Sequence, residues 1–223
     1  MRVIDFSIVN RGQGTIADLP RILSRVERSR LNSASRLDRA SPAARPLRLA
    51  DAAELRARLA LACRNCDGVT GAHCIHELWM RGELAANVEQ ALERLWQSAA
   101  ETIPDWLPMR HVEWLPVAYE VAGRFSARMR GAANIYLVLL DYSDSRPEPY
   151  GVYVGQTRFP PAARFDQHKA GIRAAGSVLR RGLELLTGPA LHLQGMSRPE
   201  ALLIEERLAA ALGDAGLFVQ GGH

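Results

Sequence analysis

The sequence predicts an α+β fold, with a mainly helical N-terminal region over residues 1–128 and, over residues 129–223, a domain in which helices flank a small antiparallel sheet. Three observations predict this. Apolar residues recur at helical spacing in the first half of the chain. Two short β-prone runs follow at 135–140 and 150–155, and a polar loop joins them as in a β-hairpin with a long connection. A well-formed helix start then comes at Ser197.

The composition is that of an ordinary globular protein with a basic balance. The chain has 223 residues, 48% of them hydrophobic and 23% charged, and its formal net charge is +4. Lys169 is the only lysine, so the positive charge is almost wholly arginine, whose guanidinium group suits bidentate contacts with phosphate. This balance is compatible with a polyanionic partner such as nucleic acid.

Membrane and secreted classes are not favoured by the sequence. No apolar run approaches the length of a membrane span, and the first residues lack the basic-then-apolar pattern of a signal peptide. Three cysteines are an odd number, which argues against a secreted disulfide framework. We therefore expect a cytoplasmic protein without a membrane partner.

The first fifty residues show weak signals for regular structure. A short strand is expected near 3–9 and a short helix near 16–26, and over 28–48 the composition shifts to serine, alanine, arginine and proline. Residues 1–50 carry ten arginines against four acidic residues, a local charge of +6. Two interpretations remain open: an arm that lies along a nucleic-acid backbone, or a solvated linker.

Two amphipathic helices are predicted next. Asp51 and Glu54 resemble a capping box, and an apolar stripe follows them in a helix that stops near Asp67. A second helix is expected from about residue 83 to residue 101, before Pro104. Tryptophan side chains are expected to add to the core between these helices: Trp79, Trp96 and Trp106.

All three cysteines of the chain and two of its histidines fall within fourteen residues near the end of the first helix. Zinc prefers four nitrogen or sulfur ligands in a tetrahedron. One interpretation is therefore a structural Zn²⁺ site, and the other is that the cysteines are small apolar residues at a helix end. The zinc ligands in the first interpretation are Cys63, Cys66, Cys74 and His76.

The remaining elements lie on either side of the hairpin. Apolar and polar residues alternate over 112–121, which predicts a strand, and the domain boundary is expected between Gly123 and Ala133. The helix that starts at Ser197 is expected to end at Gly213. Its predicted inward side chains are Leu203, Ile204, Leu208 and Leu212.

Side chains with catalytic chemistry gather around the predicted hairpin. Tyr136 lies in its first strand and Tyr153 in its second. Two prolines at 160–161 directly follow and are typical of a helix start. That helix carries Arg164 and His168 four residues apart, on one face. We expect the two tyrosines, the arginine and the histidine to converge on one small surface.

These positions resemble the signature of the GIY-YIG endonucleases. The tripeptide Asn134–Tyr136 followed by Tyr153–Gly155 is similar to the pair of tripeptides in that signature. Arg164 and His168 stand where members of the family carry an arginine and, one helical turn later, a histidine or a tyrosine. The order and spacing of these positions favour the resemblance more than either tripeptide alone.

A later helix extends the resemblance, which covers about residues 130–223. The segment 201–205 resembles the one that carries the family's metal-binding glutamate. There are three departures from the family pattern. Asn134 replaces the first glycine of the signature, the loop between the tyrosines is longer than usual, and the asparagine that often follows the glutamate helix is missing. Gln220 is a candidate amide substitute for that asparagine.

The resemblance implies a metal-dependent endonuclease that hydrolyses phosphodiester bonds in DNA. It implies that Glu205 holds one Mg²⁺ or Mn²⁺, and that Arg164 binds the scissile phosphate and balances charge in the transition state. Tyr136 would be the general base on water, and Tyr153 would position phosphate or water. His168 would lower the cost of deprotonating a phenol, whose reference pKa of about 10 is unsuited to neutral pH.

A basic cluster accompanies these residues, and it is either a phosphate-contacting surface or an exposed helical face. Its members are Arg158, Lys169, Arg173, Arg180 and Arg181. The missing asparagine leaves two functional classes open. The chain is either a DNA endonuclease or a catalytically weak or inactive module of the same fold that binds nucleic acid or protein.

Overall fold

The computed structural model describes residues 45–128 and 130–222. The strand expected near 3–9 and the helix expected near 16–26 lie outside the described residues, as does nearly all of the arginine-rich segment at 28–48. The choice between a nucleic-acid-binding arm and a solvated linker therefore stays a prediction from sequence.

Helices open the described chain: α1 (Ala52–Arg64), α2 (Gly68–Met80) and α3 (Ala85–Ala99), with a short 3-10 turn at Ala100–Thr102. The start of α1 is confirmed, because the Asp51 carboxylate caps it by accepting the N–H of Glu54 at 2.8 Å. α3 corresponds to the second predicted helix. Leu84 lies just before its first turn and is 70% exposed, whereas Val88, Leu92 and Leu95 are buried.

α2 was not expected from the sequence, although Asp67 caps it by accepting the N–H of Thr70 at 3.0 Å. Most of its residues are buried, polar ones included. The buried Glu77 carboxylate is paired with Arg45 at 2.7 Å and with Arg81 at 3.3 Å. A helix enclosed by protein shows no alternation of apolar and polar faces, so the usual periodicity signal is missing.

Residues over the predicted strand at 112–121 form helix α4 (Leu115–Ala122) instead, so that prediction is wrong. Pro116 suits the first turn of a helix, where the missing N–H has no partner to lose. Ala118 and Ala122 lie four residues apart and are both buried. A short segment of alternating residues fits either period, and here the packed helix is the structure that forms.

The sheet is built from β1 (Asn134–Asp141), β2 (Tyr150–Thr157), β3 (Gly182–Leu185) and β4 (Val219–Gly221). Within the described residues these four strands lie in the order β3-β1-β2-β4. β1 and β2 form the predicted antiparallel hairpin, and β3 is antiparallel to β1. β4 runs parallel to β2, so the sheet is mixed and not antiparallel throughout. The reason is that β4 returns after a long crossover that includes helices, which a parallel pair requires.

Helices flank the sheet: α5 (Pro161–Lys169), α6 (Gly176–Arg181), α7 (Thr187–Ala190) and α8 (Arg198–Asp214). The predicted α+β class is therefore confirmed. Ser197 caps α8 as predicted by accepting the N–H of Glu200 at 3.4 Å. Leu203 is 46% exposed, so its predicted inward orientation is wrong. The buried leucine and isoleucine side chains recur every four residues on another face: Ile204, Leu208 and Leu212.

Both faces of β1 are buried. Ile135, Leu137 and Leu139 face a large core that α2, α4 and α8 share. The alternate residues, Tyr136 and Val138, face a smaller core against α5. Burial on both sides explains why this strand has a continuous apolar sequence and not an alternating one.

One hydrophobic core spans the predicted boundary at residues 128–129. Trp79 and Trp106 are buried in it and Trp96 packs against it, as expected from the sequence. No helix of the part of the chain that the structure describes has the length and apolar character needed to cross a membrane.

Glu184 in β3 carries a buried carboxyl group. It is 4% exposed, and its Oε2 atom accepts the N–H of Met109 at 3.1 Å. Burial raises the pKa of Glu184 to about 7, from an ordinary value of 4.5. Ionising this carboxyl in the folded state therefore costs free energy.

We expect Glu184→Gln to stabilise the protein above about pH 7 and to change its stability little below pH 4.5. The pKa of Glu184 is raised in the folded state, so its favourable contribution is complete below the unfolded pKa and is lost as the pH rises through the folded pKa. Since one pKa unit equals about 1.4 kcal/mol, the gain approaches about 3 kcal/mol. Urea unfolding between pH 4 and 8 would measure it, with exposed Glu113→Gln as the control. Parallel pH profiles for Glu184→Gln and the wild type would contradict the expectation.

Candidate active site

Three aromatic rings meet on the α5 side of the sheet. The ring centroids of Tyr136 and Tyr153 are 5.9 Å apart, and the His168 ring lies 6.0 Å from the first and 5.9 Å from the second. The antiparallel pairing of β1 with β2 brings the tyrosines to one face. Pro161 starts α5 at the predicted place, and the helix carries His168 over that face. The predicted convergence of these side chains is therefore seen in the structure.

Gly155 makes room for both phenol rings. It pairs with Tyr136 across the hairpin. A Cβ atom at this position would lie 2.6 Å from Cε1 of Tyr153 and 2.7 Å from the hydroxyl of Tyr136. Side-chain atoms do not approach this closely, so any larger residue would push the rings apart.

His168 is hydrogen-bonded through both ring nitrogens. Its Nε2 atom lies 2.8 Å from the Tyr136 hydroxyl oxygen, and its Nδ1 atom accepts the main-chain N–H of Ala175 at 2.9 Å. The side chain is fully buried. Burial, reinforced by the positive charge of Arg164, lowers the pKa of His168 to about 4, so the ring is neutral at neutral pH.

Arg164 lies one helical turn before His168, with its guanidinium group held by main-chain oxygens. Nη2 donates to the carbonyl of Arg173 at 2.8 Å, and Nη1 donates to the carbonyl of Ile172 at 3.3 Å and to Oε1 of Gln167 at 3.2 Å. Burial raises the pKa values of Tyr136 and Tyr153 and lowers that of His168; the charge of Arg164 opposes the first effect and adds to the second. Arg164 thus places a positive charge beside the three rings.

Both phenols are weak acids in this environment. Burial raises the pKa of Tyr136 well above its ordinary value, and burial also raises the pKa of Tyr153. The positive charge of Arg164 acts in the opposite direction on both groups. At neutral pH the tyrosines are therefore protonated.

An open cavity of about 550 Å³ adjoins the ring cluster, and Tyr153 belongs to both. Glu205, on α8, and Gln220, on β4, line the same cavity. Glu205 is 7% exposed, and burial raises its pKa to about 7, partly offset by a main-chain hydrogen bond from Gln156. Gln220 stands directly opposite Tyr153 in the β2–β4 pairing.

The predicted basic cluster divides into two groups. Arg181 is paired with Asp144 at 2.6 Å, and Lys169 donates to the carbonyl of Gly182 at 2.8 Å, so both serve contacts within the protein. Lys169 is nevertheless exposed, as are the other three members: Arg158, Arg173 and Arg180. Arg180 also lines the cavity, beside Arg181.

The four candidate zinc ligands are not brought together. Cys66 is exposed, Cys63 is half-buried, and Cys74 and His76 are buried in α2. The His76 ring packs against Trp106 at 5.7 Å. Nowhere in residues 45–128 and 130–222 do three His, Cys, Asp or Glu side chains lie where they would share a metal ion. Cys74 and His76 are two residues apart in one helix, and such residues point to different sides.

Asn134, the first residue of β1, has a structural role that the sequence did not suggest. Its Nδ2 atom donates to the carbonyl of Phe159 at 3.0 Å, and its Oδ1 atom accepts the N–H of Gly195 at 3.0 Å. The side chain therefore ties the start of β1 to the segments after β2 and before α8. The Ala175 N–H on His168 was also missed, because a main-chain donor leaves no signal in the residue type.

Comparison of the chain with protein-family models, with curated proteins and with solved structures found no match. An assignment of function therefore rests on the residues of the site and on their arrangement.

We expect Gly155→Ala to lower the free energy of unfolding by about 1–3 kcal/mol, because the added methyl group overlaps both tyrosine rings. The near-UV circular dichroism should change as the rings move. Gly213→Ala is the matched control, since a Cβ there meets no described atom within 4 Å and lies in α8. It should be neutral or stabilising, by up to about 1 kcal/mol. Equal effects of the two substitutions would show that the rings do not need the glycine.

Proposed function

We propose that this chain is a metal-dependent endonuclease of the GIY-YIG type that hydrolyses phosphodiester bonds in DNA. The observation that carries the proposal is the cluster of Tyr136, Tyr153 and His168, with Arg164 beside it and Glu205 on the wall of the adjoining cavity. These five residues come from β1, β2, α5 and α8. Their order in the sequence matches the family pattern, and their convergence in space supports a shared chemical task.

The cavity is suited to a hard divalent cation. Glu205 offers a carboxylate in it, and Mg²⁺ in proteins is commonly held by one or two carboxylates together with waters and substrate phosphates. Burial raises the pKa of Glu205 and so favours the neutral carboxyl, whereas a nearby cation would favour its charged form. When bound, Mg²⁺ or Mn²⁺ would relieve negative charge on the phosphoryl and leaving oxygens.

Arg164 is the residue that we propose to meet the scissile phosphate. A guanidinium group has five N–H donors, and three of its hydrogen bonds are made within the protein. A further hydrogen bond links the group to the Tyr136 hydroxyl. We propose that the remaining donor capacity serves phosphate oxygens, and the internal bonds hold the group in one orientation. Pre-oriented donors of this kind stabilise charge that develops in a transition state.

The two tyrosines would handle the attacking water. We propose that Tyr136, after losing its phenol proton to solvent, is the general base that takes a proton from the attacking water, and that Tyr153 positions water or phosphate. Burial opposes the ionisation of Tyr136, whereas the charge of Arg164 and the hydrogen bond with His168 reduce that cost. Gln220, opposite Tyr153, is the proposed replacement for the missing asparagine.

The DNA backbone would contact the exposed arginines near the cavity. Arg180 lines its wall, and Arg158 and Arg173 are exposed on neighbouring loops. Guanidinium groups at such positions bind phosphates by releasing condensed counterions, so the affinity should fall with salt. Because Arg181 is paired with Asp144, we expect Arg181 to contribute less to DNA affinity than the exposed arginines do.

We expect Glu205→Gln to abolish metal-dependent cleavage and to leave folding and DNA binding nearly intact. A neutral amide cannot replace a charged oxygen ligand for a hard cation. Nicking of supercoiled plasmid over a Mg²⁺ titration would measure this, with Glu206→Gln, the exposed neighbour on α8, as the matched control. Equal nicking by the two variants would remove Glu205 from the metal site. A wild-type protein that binds DNA and never nicks it would instead be an inactive binding module.

We expect Arg164→Ala to reduce the single-turnover rate about a hundredfold or more, with a small effect on binding, because its charge matters most in the transition state. Arg180→Ala should do the opposite, weakening metal-free binding and reducing its salt slope by roughly one unit. The comparison is the rate at saturating enzyme set beside affinity at several salt concentrations. Wild-type turnover by Arg164→Ala at saturation would reduce this residue to a backbone contact.

A further inference from the structure

The loop of residues 170–175, between α5 and α6, folds back onto α5. Gly171 and Arg173 both have positive φ values, 76° and 46°. Positive φ at two closely spaced residues reverses the chain sharply. The N–H of Ile172 then donates to the carbonyl of Gln167 at 2.8 Å, which closes the loop against the helix.

The main chain of this loop contacts two side chains of α5 that belong to the proposed site, Arg164 and His168. The Ala175 N–H donates to Nδ1 of His168 at 2.9 Å. The carbonyls of Ile172 and Arg173 accept from the Arg164 guanidinium group. The main chain of one short loop therefore contacts two site residues that lie one helical turn apart.

The Ala175 contact determines where the proton of His168 lies. A main-chain N–H is always a donor, so Nδ1 must carry a lone pair. The neutral ring then bears its proton on Nε2, the atom 2.8 Å from the Tyr136 oxygen. The alternative tautomer would set two N–H groups against each other at 2.9 Å and lose a hydrogen bond of the fully buried His168 side chain.

We propose that residues 170–175 form a positioning loop, in which the Ala175 N–H fixes His168 as a hydrogen-bond donor to the Tyr136 oxygen and the carbonyls of Ile172 and Arg173 orient Arg164. In this tautomer Nε2 has no lone pair to accept the Tyr136 proton. His168 therefore stabilises the phenolate form of Tyr136 by donation and does not act as its base. The catalytic meaning of this arrangement rests on the proposed function, whereas the tautomer does not.

The variant that isolates the contact is Ala175→Pro. Proline lacks the N–H, and its fixed φ near −65° matches the −68° of Ala175, which is the residue that precedes α6. The matched control is Ala175→Ser, which changes the side chain and keeps the N–H. Circular dichroism and thermal unfolding would establish that both variants are folded.

The readout is the pair of ¹⁵N chemical shifts of the His168 ring in metal-free protein, assigned with His168→Gln. We expect the wild type and Ala175→Ser to show protonated Nε2 and unprotonated Nδ1, and Ala175→Pro to move towards the other tautomer. A wild-type ring protonated on Nδ1, or an unchanged tautomer in folded Ala175→Pro, would overturn the proposal. If Ala175→Pro does not fold, the wild-type shifts and the hydrogen-exchange protection of the Ala175 amide decide the question alone.

A cleavage assay separates this proposal from the proposed nuclease function. With an active wild type, Ala175→Pro should lower the single-turnover rate at least tenfold more than Ala175→Ser does, without changing metal-free DNA binding. Equal rates for the two folded variants would count against a positioning role. If no form of the protein cleaves DNA, the nuclease proposal fails, and the ¹⁵N shifts still confirm or overturn the tautomer assignment.

Discussion

Burial of both faces of β1 is the constraint on which the site depends. One face packs on the large core and the other on α5, which leaves Tyr136 2% exposed and His168 fully buried. Polar groups that are removed from water need partners within the protein, and the contacts of His168 with Tyr136 and Ala175 supply them. The same burial favours the neutral forms, because it raises the pKa of the phenols and lowers that of the imidazole.

Elements with a local signal were predictable from the sequence, and elements defined by their surroundings were not. The structure contains each predicted element that had such a signal. The hairpin has the composition of strands, α5 starts with prolines, and α1 and α8 start with capping residues, Asp51 and Ser197. α2 is enclosed on all sides and shows no amphipathic pattern, and the pattern that suggested a strand at 112–121 also fits α4. β4 has only three residues, and its parallel pairing with β2 follows from the packing of α8, which no local pattern encodes.

For the candidate site, the sequence predicted which side chains meet but not what holds them. Tyr136, Tyr153, Arg164 and His168 converge as expected because strand pairing and helical spacing are regular. Arg164 and His168 are held by the main chain of residues 170–175, and main-chain contacts cannot be predicted from residue types. The candidate zinc ligands are not brought together for a related reason. The helix that contains Cys74 and His76 was not expected, and it points their side chains to different sides.

The proposed function would place two further charges beside the charged groups of the site. Tyr136, Tyr153 and His168 are neutral at pH 7, and Glu205, with a pKa of about 7, is only partly ionised, whereas Arg164 is positive. Under that proposal, a phosphate beside Arg164 would supply negative charge where the protein has a cation. A divalent ion at Glu205 would then compensate both the carboxylate and the phosphate. Each ligand would therefore lower the electrostatic cost of binding the other, so that joint binding of metal and nucleic acid would be favoured over either one alone.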